Sequence, residues 1–145
     1  MRLSVFFAVL ILMFWVGAVS AISFMEAWLK FQAPGVTLPI GLGIGMKVFN
    51  ALNLVEWGLA LGYLFLLIRE LINLNRATLL FSGVVVLILT VQTFVLLPVL
   101  SARATTIIDG ETVSASYVHF YYVILEVLKV ISLIVLTFRW RRLHE

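Results

Sequence analysis

The sequence contains no cysteine among its 145 residues. A chain without cysteine has no disulfide framework, no thiolate metal site and no thiol redox chemistry. Disulfide-stabilised domains, cysteine-ligated zinc domains and thiol enzymes are therefore excluded. The sequence identifies no cofactor of any other kind, and the cofactor is unknown.

Charge is also scarce. Only 12% of the residues are charged and 63% are hydrophobic, whereas an ordinary soluble domain has about 25% charged residues. This composition predicts an integral membrane protein, whose first partner is the lipid bilayer. The formal net charge is +3, but the basic residues stand at the ends of apolar runs and form no patch. We therefore expect them to set membrane topology, and we expect no nucleic-acid partner.

Four apolar runs are long enough to cross a membrane. They cover about residues 3–27, 46–68, 77–100 and 114–138. A helix rises ~1.5 Å per residue, so each run can cross ~30 Å of hydrocarbon. The first run is too long for the apolar region of a signal peptide and is interpreted as an uncleaved span. The prediction is an all-α polytopic protein, a single transmembrane domain over residues 1–145 folded as an up-and-down four-helix bundle.

The stretch between the first two runs is unusual for a solvated loop. Residues 32–47 include two prolines and four glycines, three of them alternating at residues 41, 43 and 45, and carry no charge before Lys47. This pattern favours an interfacial or re-entrant segment packed against the bundle. Thr37 is a candidate cap for a helix that begins next to it. Residues 103–113, in contrast, are predicted to form an ordinary polar loop.

The distribution of lysine and arginine predicts the orientation in the membrane. The N-terminus, the turn after the second span and the C-terminus carry Arg2, Arg69, Arg76, Arg139, Arg141 and Arg142. The other two loops carry Lys30, Lys47 and Arg103. Since cytoplasmic loops are enriched in these residues, both termini are expected in the cytoplasm, and a bacterial inner membrane is the expected location. His144, in the basic tail, is expected to be solvated.

The fourth run carries a stripe of polar residues. His119, Tyr122, Glu126 and Lys129 are spaced by three, four and three, which places them on one side of a helix. Glu126 and Lys129 lie one turn apart and can form an ion pair. A lone ionised residue at the bilayer centre costs roughly 2.5–3.5 kcal/mol on insertion scales. This side of the helix is therefore predicted to face protein.

Polar residues of the other spans are expected to meet this stripe. They are Glu26, Asn50, Asn53, Glu56 and Gln92. With both termini inside, these residues and the first three of the stripe share the outer half of the membrane. The sequence therefore predicts a polar pocket there, lined above all by Glu56, His119 and Glu126. Lys129 is placed at its floor, as the countercharge of Glu126.

Three uses of such a pocket stay open. The polar groups can serve as hydrogen-bonding glue between helices. They can form a site that binds, senses or passes a small ligand or ion, and this non-enzymatic use is the leading hypothesis. They can also form the metal centre of a membrane enzyme, with His119, Glu56, Glu126 and Glu26 as ligands. The metal hypothesis is the weakest, because no Glu-x-x-His motif is present and Lys129 competes for Glu126.

An alternative of another class is an accessory or assembly subunit of a larger membrane complex, or a homo-oligomer. Its basis is the small size of the chain and the pair Gly58 and Gly62, whose spacing suits a helix–helix contact.

Short motifs also resemble a known group of proteins. They are Ser23-Phe24 at the end of the first span, Phe49-Asn50 near the start of the second, and Tyr117-Val-His119 at the start of the fourth. With the chain length, these motifs resemble the small four-helix integral membrane proteins of unknown function that include the transmembrane-protein-205-like family. The resemblance implies the four-helix fold and no particular activity. The Glu126 and Lys129 pair and residues 32–47 depart from it.

Overall fold

The computed structural model describes residues 3–142 and consists of helices joined by short turns. Four helices are long and apolar enough to cross a membrane: α1 (Leu3–Gln32), α2 (Leu38–Arg69), α3 (Arg76–Ile108) and α4 (Val118–Arg142). No strand occurs within these described residues. The predicted all-α four-helix membrane protein is confirmed. Arg2 and His144, which entered the sequence argument, lie outside the described residues.

The four helices form a closed ring. Each packs against its neighbour in sequence, and α1 also packs along α4. This arrangement is the up-and-down bundle that short connections favour. One end of the bundle holds residue 3, the turn at residues 70–75 and residue 142, and we call it the termini end. The opposite end holds residues 33–37 and 109–117, and we call it the loop end.

Helix α1 shows why the ring closes around an apolar interior. Its buried side chains recur every three or four residues, which keeps them on one stripe. They are Val5, Ala8, Leu12, Trp15 and Val19. Large apolar side chains on the opposite face, such as Phe6, Leu10 and Phe14, are about half exposed. An apolar outer surface of this kind suits contact with lipid.

Residues 38–47 are helical and continuous with the rest of α2, so the re-entrant alternative predicted for residues 32–47 is wrong. Only residues 33–37 form the turn, where Gly35 has φ +82°, and α2 begins directly at Leu38. Thr37 occupies the N-cap position in extended conformation, as predicted, although its side chain makes no capping hydrogen bond. Pro39 lies in the first turn of the helix. Backbone amides there have no acceptor within the helix, so the missing amide hydrogen of proline breaks no hydrogen bond.

The glycines of this segment have a packing role rather than a helix-breaking one. A Cβ atom on Gly41 would lie 2.1 Å from the Phe31 ring, and one on Gly45 would lie 2.8 Å from Lys30 Nζ. The Phe31 ring leaves no room for a side chain at Gly41, whereas the end of the flexible Lys30 side chain can move away from Gly45. The contact at Gly41 offsets the cost of a helical glycine, about 1 kcal/mol relative to alanine.

Helix α3 contains a π-helical turn at Gln92–Leu96. Pro98 accounts for this π-helical turn, because proline has no amide hydrogen to donate to the carbonyl one turn earlier and the regular helical hydrogen bond is missing. The amide of Leu97 binds instead to the carbonyl of Gln92, five residues back. The helix then continues to Ile108, so most of the polar loop predicted at residues 103–113 is helical, and the connection to α4 is 109–117. A second π-helical segment, Ser20–Glu26, lies in α1.

Candidate functional site

A cluster of charged and polar side chains lies in the middle of the bundle. We define the charged cluster as Trp15, Glu56, Gln92, Glu126 and Lys129. Each of these residues has 0% of its surface exposed. Each helix contributes at least one of them from near the middle of its length, because the ring brings four such positions together. The sequence predicted that Glu56, Gln92, Glu126 and Lys129 converge, and the structure does bring them together.

Lys129 is the centre of the cluster. Its Nζ lies 2.5 Å from Glu56 Oε1 and 3.3 Å from Glu126 Oε1, and it donates a hydrogen bond of 2.7 Å to Gln92 Oε1. An ammonium group has three donors, and all three find acceptors here. The pair between Glu126 and Lys129 is present as predicted. The shorter contact is nevertheless with Glu56 of another helix, so Lys129 is the countercharge of both carboxylates.

Two further donors complete the network. Gln92 Nε2 donates to Glu126 Oε1 at 3.1 Å, and Trp15 Nε1 donates to Glu56 Oε1 at 2.7 Å. Trp15 brings α1 into the cluster, so all four helices share one connected set of hydrogen bonds. Trp15 is not among the residues predicted from the sequence, because it lies in an uninterrupted apolar run. The available signal was its depth, since tryptophans of the membrane belts lie near the ends of a span.

The hydrogen bonds leave one side of each carboxylate unused. Oε1 of Glu56 and Oε1 of Glu126 accept every contact described above, whereas Oε2 of each is buried and has no hydrogen-bond partner. The cluster also contains two acids and only one base. With all three groups ionised it would carry a net charge of −1 in a water-excluded site, which is costly.

Toward the termini end, the interior is closed by aromatic side chains. Trp140 Nε1 donates to the Tyr63 hydroxyl at 3.1 Å, and this hydroxyl also shares a hydrogen bond of 2.7 Å with Ser82. The Tyr63 and Trp140 rings pack edge to face at 6.0 Å. All three residues are buried, so the charged cluster is sealed on this side.

Toward the loop end, the helices separate around a cavity of about 500 Å³. We call it the loop-end cavity. All four helices line it, with Trp28 and Lys30 from α1, Phe49 from α2, Ser101 from α3, and His119 and Tyr122 from α4. The volume falls within the roughly 300–1,000 Å³ typical of small-molecule sites.

The wall of this cavity is mainly aromatic and aliphatic, and Lys30 is the charged residue among its described lining residues. Lys30 Nζ lies 3.2 Å from Glu26 and faces the rings of Phe31 and Phe49 at 5.6 and 5.7 Å. Aromatic faces attract a cation and hold it in place. The Ser23 hydroxyl oxygen, also on this wall, is buried and has no hydrogen-bond partner.

Tyr122 lies between the cavity and the charged cluster. It lines the cavity, is only 3% exposed and packs edge to face on Phe49 at 5.7 Å. It is close enough to Glu126 and Glu56 to interact electrostatically with both. The single polar pocket that the sequence predicted is therefore two sites, an open cavity and a buried cluster, separated by one tyrosine.

The remaining predicted residues take no part in the charged cluster. Asn53 donates instead to the Thr93 hydroxyl at 2.9 Å, as does the indole of Trp57, so they link α2 to α3. Asn50 is exposed and belongs neither to the cluster nor to the cavity lining. His119 is exposed at the cavity, about 10 Å along the helix from Glu126 at ~1.5 Å per residue. Glu26 pairs with Lys30.

The geometry does not support the metal hypothesis. Within residues 3–142, no three or more histidine, aspartate or glutamate side chains are grouped so that they could hold an ion. The proposed metal ligands lie in two different sites, Glu56 and Glu126 in the charged cluster and His119 and Glu26 toward the loop end.

Gly58 and Gly62 do not share one contact inside the bundle. Gly62 faces Ile11 of α1, whereas a Cβ on Gly58 would meet no atom within 4 Å.

No protein-family model, curated protein or solved structure matches this chain. The resemblance to the transmembrane-protein-205-like proteins therefore stays a prediction from short motifs. The class of protein follows from composition and fold, and it is a small integral membrane protein built as a four-helix bundle.

Proposed function

We propose that this protein binds, senses or passes a small membrane-soluble ligand in the loop-end cavity. The observation that carries the proposal is the cavity itself, about 500 Å³ in volume and lined by all four helices. The rest of the interior is closed around Tyr63 and Trp140, which are buried. A cavity of ligand size to which all four helices contribute suits a binding site better than a purely structural role.

The lining residues favour one chemical class of ligand. Phe31, Phe49 and Trp28 offer an apolar wall, and Lys30 and His119 offer nitrogen donors beside it. An amphiphile fits this combination, with an apolar body and an anionic or carbonyl head that accepts hydrogen bonds. Such a molecule reaches the cavity from the membrane interface, where its head and body are both solvated.

The proposed orientation puts the loop end outside and both termini in the cytoplasm, in a bacterial inner membrane. The described termini end carries Arg69, Arg76, Arg139, Arg141 and Arg142. The described loop end carries Lys30, Lys47 and Arg103. This excess supports the orientation through the positive-inside rule.

A pair of matched variants tests binding. Ser101 lines the cavity, whereas Ala102 is exposed on the other side of the same helix. Ser101→Phe fills the cavity, and Ala102→Phe adds the same ring at the lipid surface. Laurate, a fatty acid, is the probe, and native mass spectrometry counts the molecules bound to each chain.

The expected result is one saturable laurate on the wild type and on Ala102→Phe, and its loss from Ser101→Phe. Helical circular dichroism and a monodisperse elution profile verify that both variants are folded. Equal laurate binding by the two variants would contradict the proposal, since neither ring would then compete with the probe.

A further inference from the structure

The charged cluster lacks one positive charge, and none of the described residues in contact with it supplies that charge. Glu56, Glu126 and Lys129 are fully buried. The other groups that contact them, the Trp15 indole of α1 and the Gln92 amide of α3, are neutral. The Tyr122 phenol, which is uncharged when it holds its hydrogen, also interacts with both acids. Two carboxylates therefore face one ammonium.

A proton is the cation that fits this site. A metal ion would have to compete with Lys129 Nζ, which already lies 2.5 Å from Glu56 and 3.3 Å from Glu126. The two oxygens without partners, Oε2 of Glu56 and Oε2 of Glu126, are each free to carry a hydrogen. A buried carboxylate without a countercharge is neutralised most readily by binding a proton.

We propose that Glu56 and Glu126 together hold one exchangeable proton, taken up from the loop end by way of Tyr122. Lys129 Nζ contacts Oε1 of each acid, so the two carboxylates are coupled through one cation and the proton belongs to the pair. The proposal does not depend on any ligand in the loop-end cavity.

The route of exchange follows from the packing. Tyr63 and Trp140 close the termini side of the cluster and are buried. On the loop side, the Tyr122 side chain lines the cavity and interacts with both acids. Its hydroxyl can donate its hydrogen to a carboxylate oxygen while it accepts one from water in the cavity. The tyrosine is then unchanged, the acid pair has gained one proton, and hydronium has become water.

Infrared spectroscopy of the folded protein in lipid nanodiscs tests the proposal. The carbonyl stretch of a protonated carboxylic acid is separate from that of a carboxylate and shifts in heavy water. At neutral pH the wild type should show this band from one buried acid. Labelling the glutamates with ¹³C should shift the frequency of the band. A wild type without the band would overturn the proposal, and this measurement requires no variant to fold.

Charge-balancing variants test whether the band arises from the excess of acids over bases. Glu56→Gln leaves Glu126 opposite Lys129, and Glu126→Gln leaves Glu56 opposite Lys129, so each should abolish the band. Lys129→Met leaves two acids without a base and should double its intensity. Glu111→Gln, at an exposed loop position, is the matched control and should leave it unchanged.

Two further results complete the test. If only one of the two glutamine variants removed the band, the proton would belong to a single acid, and sharing by the pair would be disproved. Tyr122→Phe should keep the band, because the charge balance is the same, but slow its shift in heavy water. An unchanged rate of that shift would overturn the route through Tyr122.

Discussion

Lys129 Nζ of α4 lies 2.5 Å from Glu56 Oε1 of α2, with both side chains fully buried. This ion pair joins two helices that are diagonal in the ring, where α1 and α3 stand between them. Breaking such a pair by removing one partner is costly, since the other charge is left buried without compensation. The pair therefore fixes how the four helices close around their centre.

Replacement of Lys129 should destabilise the bundle more than removal of the whole pair. Lys129→Met is expected to lower the free energy of unfolding by about 3 kcal/mol, the lower end of the range for a broken buried pair. Glu56→Gln combined with Lys129→Met should recover part of this loss, since one uncompensated acid is then removed. Unfolding in mixed micelles measures both. A double variant no more stable than Lys129→Met would contradict the coupling.

We expect Trp15 to stabilise the bundle through the hydrogen bond of its indole rather than through its size. Trp15→Phe keeps an aromatic ring but removes one of the two donors to Glu56 Oε1, the other being Lys129 Nζ, and this is expected to cost about 1–3 kcal/mol. Trp28→Phe is the control, because the Trp28 indole donates only to the Phe24 carbonyl at an exposed position. The control should change stability by no more than about 0.5 kcal/mol. Equal effects of the two substitutions would count against a structural role for the Trp15 hydrogen bond.

The close approach of α1 and α2 predicts opposite effects for two glycines of α2. Gly41→Ala places a Cβ 2.1 Å from the Phe31 ring, and such overpacking is expected to cost about 1–3 kcal/mol. Gly58→Ala meets no atom within 4 Å and should be neutral or stabilise by up to about 1 kcal/mol through helix propensity. Thermal unfolding of the purified variants compares them. Stable folding of Gly41→Ala would show that the Phe31 ring can move aside.

Lysine substitutions test the head group of the proposed ligand. Lys30→Met removes the charged residue of the cavity lining, whereas Lys47→Met removes an exposed lysine near the same end. We expect laurate to bind Lys30→Met about tenfold more weakly, the equivalent of ~1.4 kcal/mol, and Lys47→Met as it binds the wild type. Native mass spectrometry over a laurate titration gives both affinities. A neutral alcohol of the same chain length should not distinguish the two variants.

Membrane orientation can be measured by labelling single introduced cysteines, because the chain has no cysteine of its own. Ile72 lies in the turn at the termini end, where it is 99% exposed, and Ala115 is exposed in the loop before α4. In intact cells, an impermeant maleimide should label Ala115→Cys, and should label Ile72→Cys only after the membrane is opened. The reverse pattern would invert the proposed topology.

Some of the candidate site could be predicted from the sequence because the physical constraint is strong. Glu56, Gln92, Glu126 and Lys129 interrupt runs that must cross hydrocarbon, and ionised or amide groups there have to meet one another. Their helical spacing placed them on inward faces. Asn50 was predicted by the same reasoning, but it lies closer to the loop end, where exposure costs little and no inward contact is enforced.

Other features depended on contacts that spacing alone does not contain. The glycines near Gly41 suggested a break in the helix, although the same residues also suit a close helix contact, and only the position of Phe31 decides between the two. The prediction of a single pocket was wrong for a similar reason. His119 and Glu126 share a helix face, but Tyr122 lies between them and separates an open cavity from a closed cluster.

The sequence by itself determined that the chain crosses a membrane four times as helices, since apolar length and scarce charge leave no other solution for the backbone. It also determined that two acids and one base lie inside the bundle. Only the tertiary structure decided that Lys129 lies between both acids, because pairing across helices depends on the ring order and on side-chain depth. The same contacts show which carboxylate oxygens have no partner, and this is where the proposed proton binds.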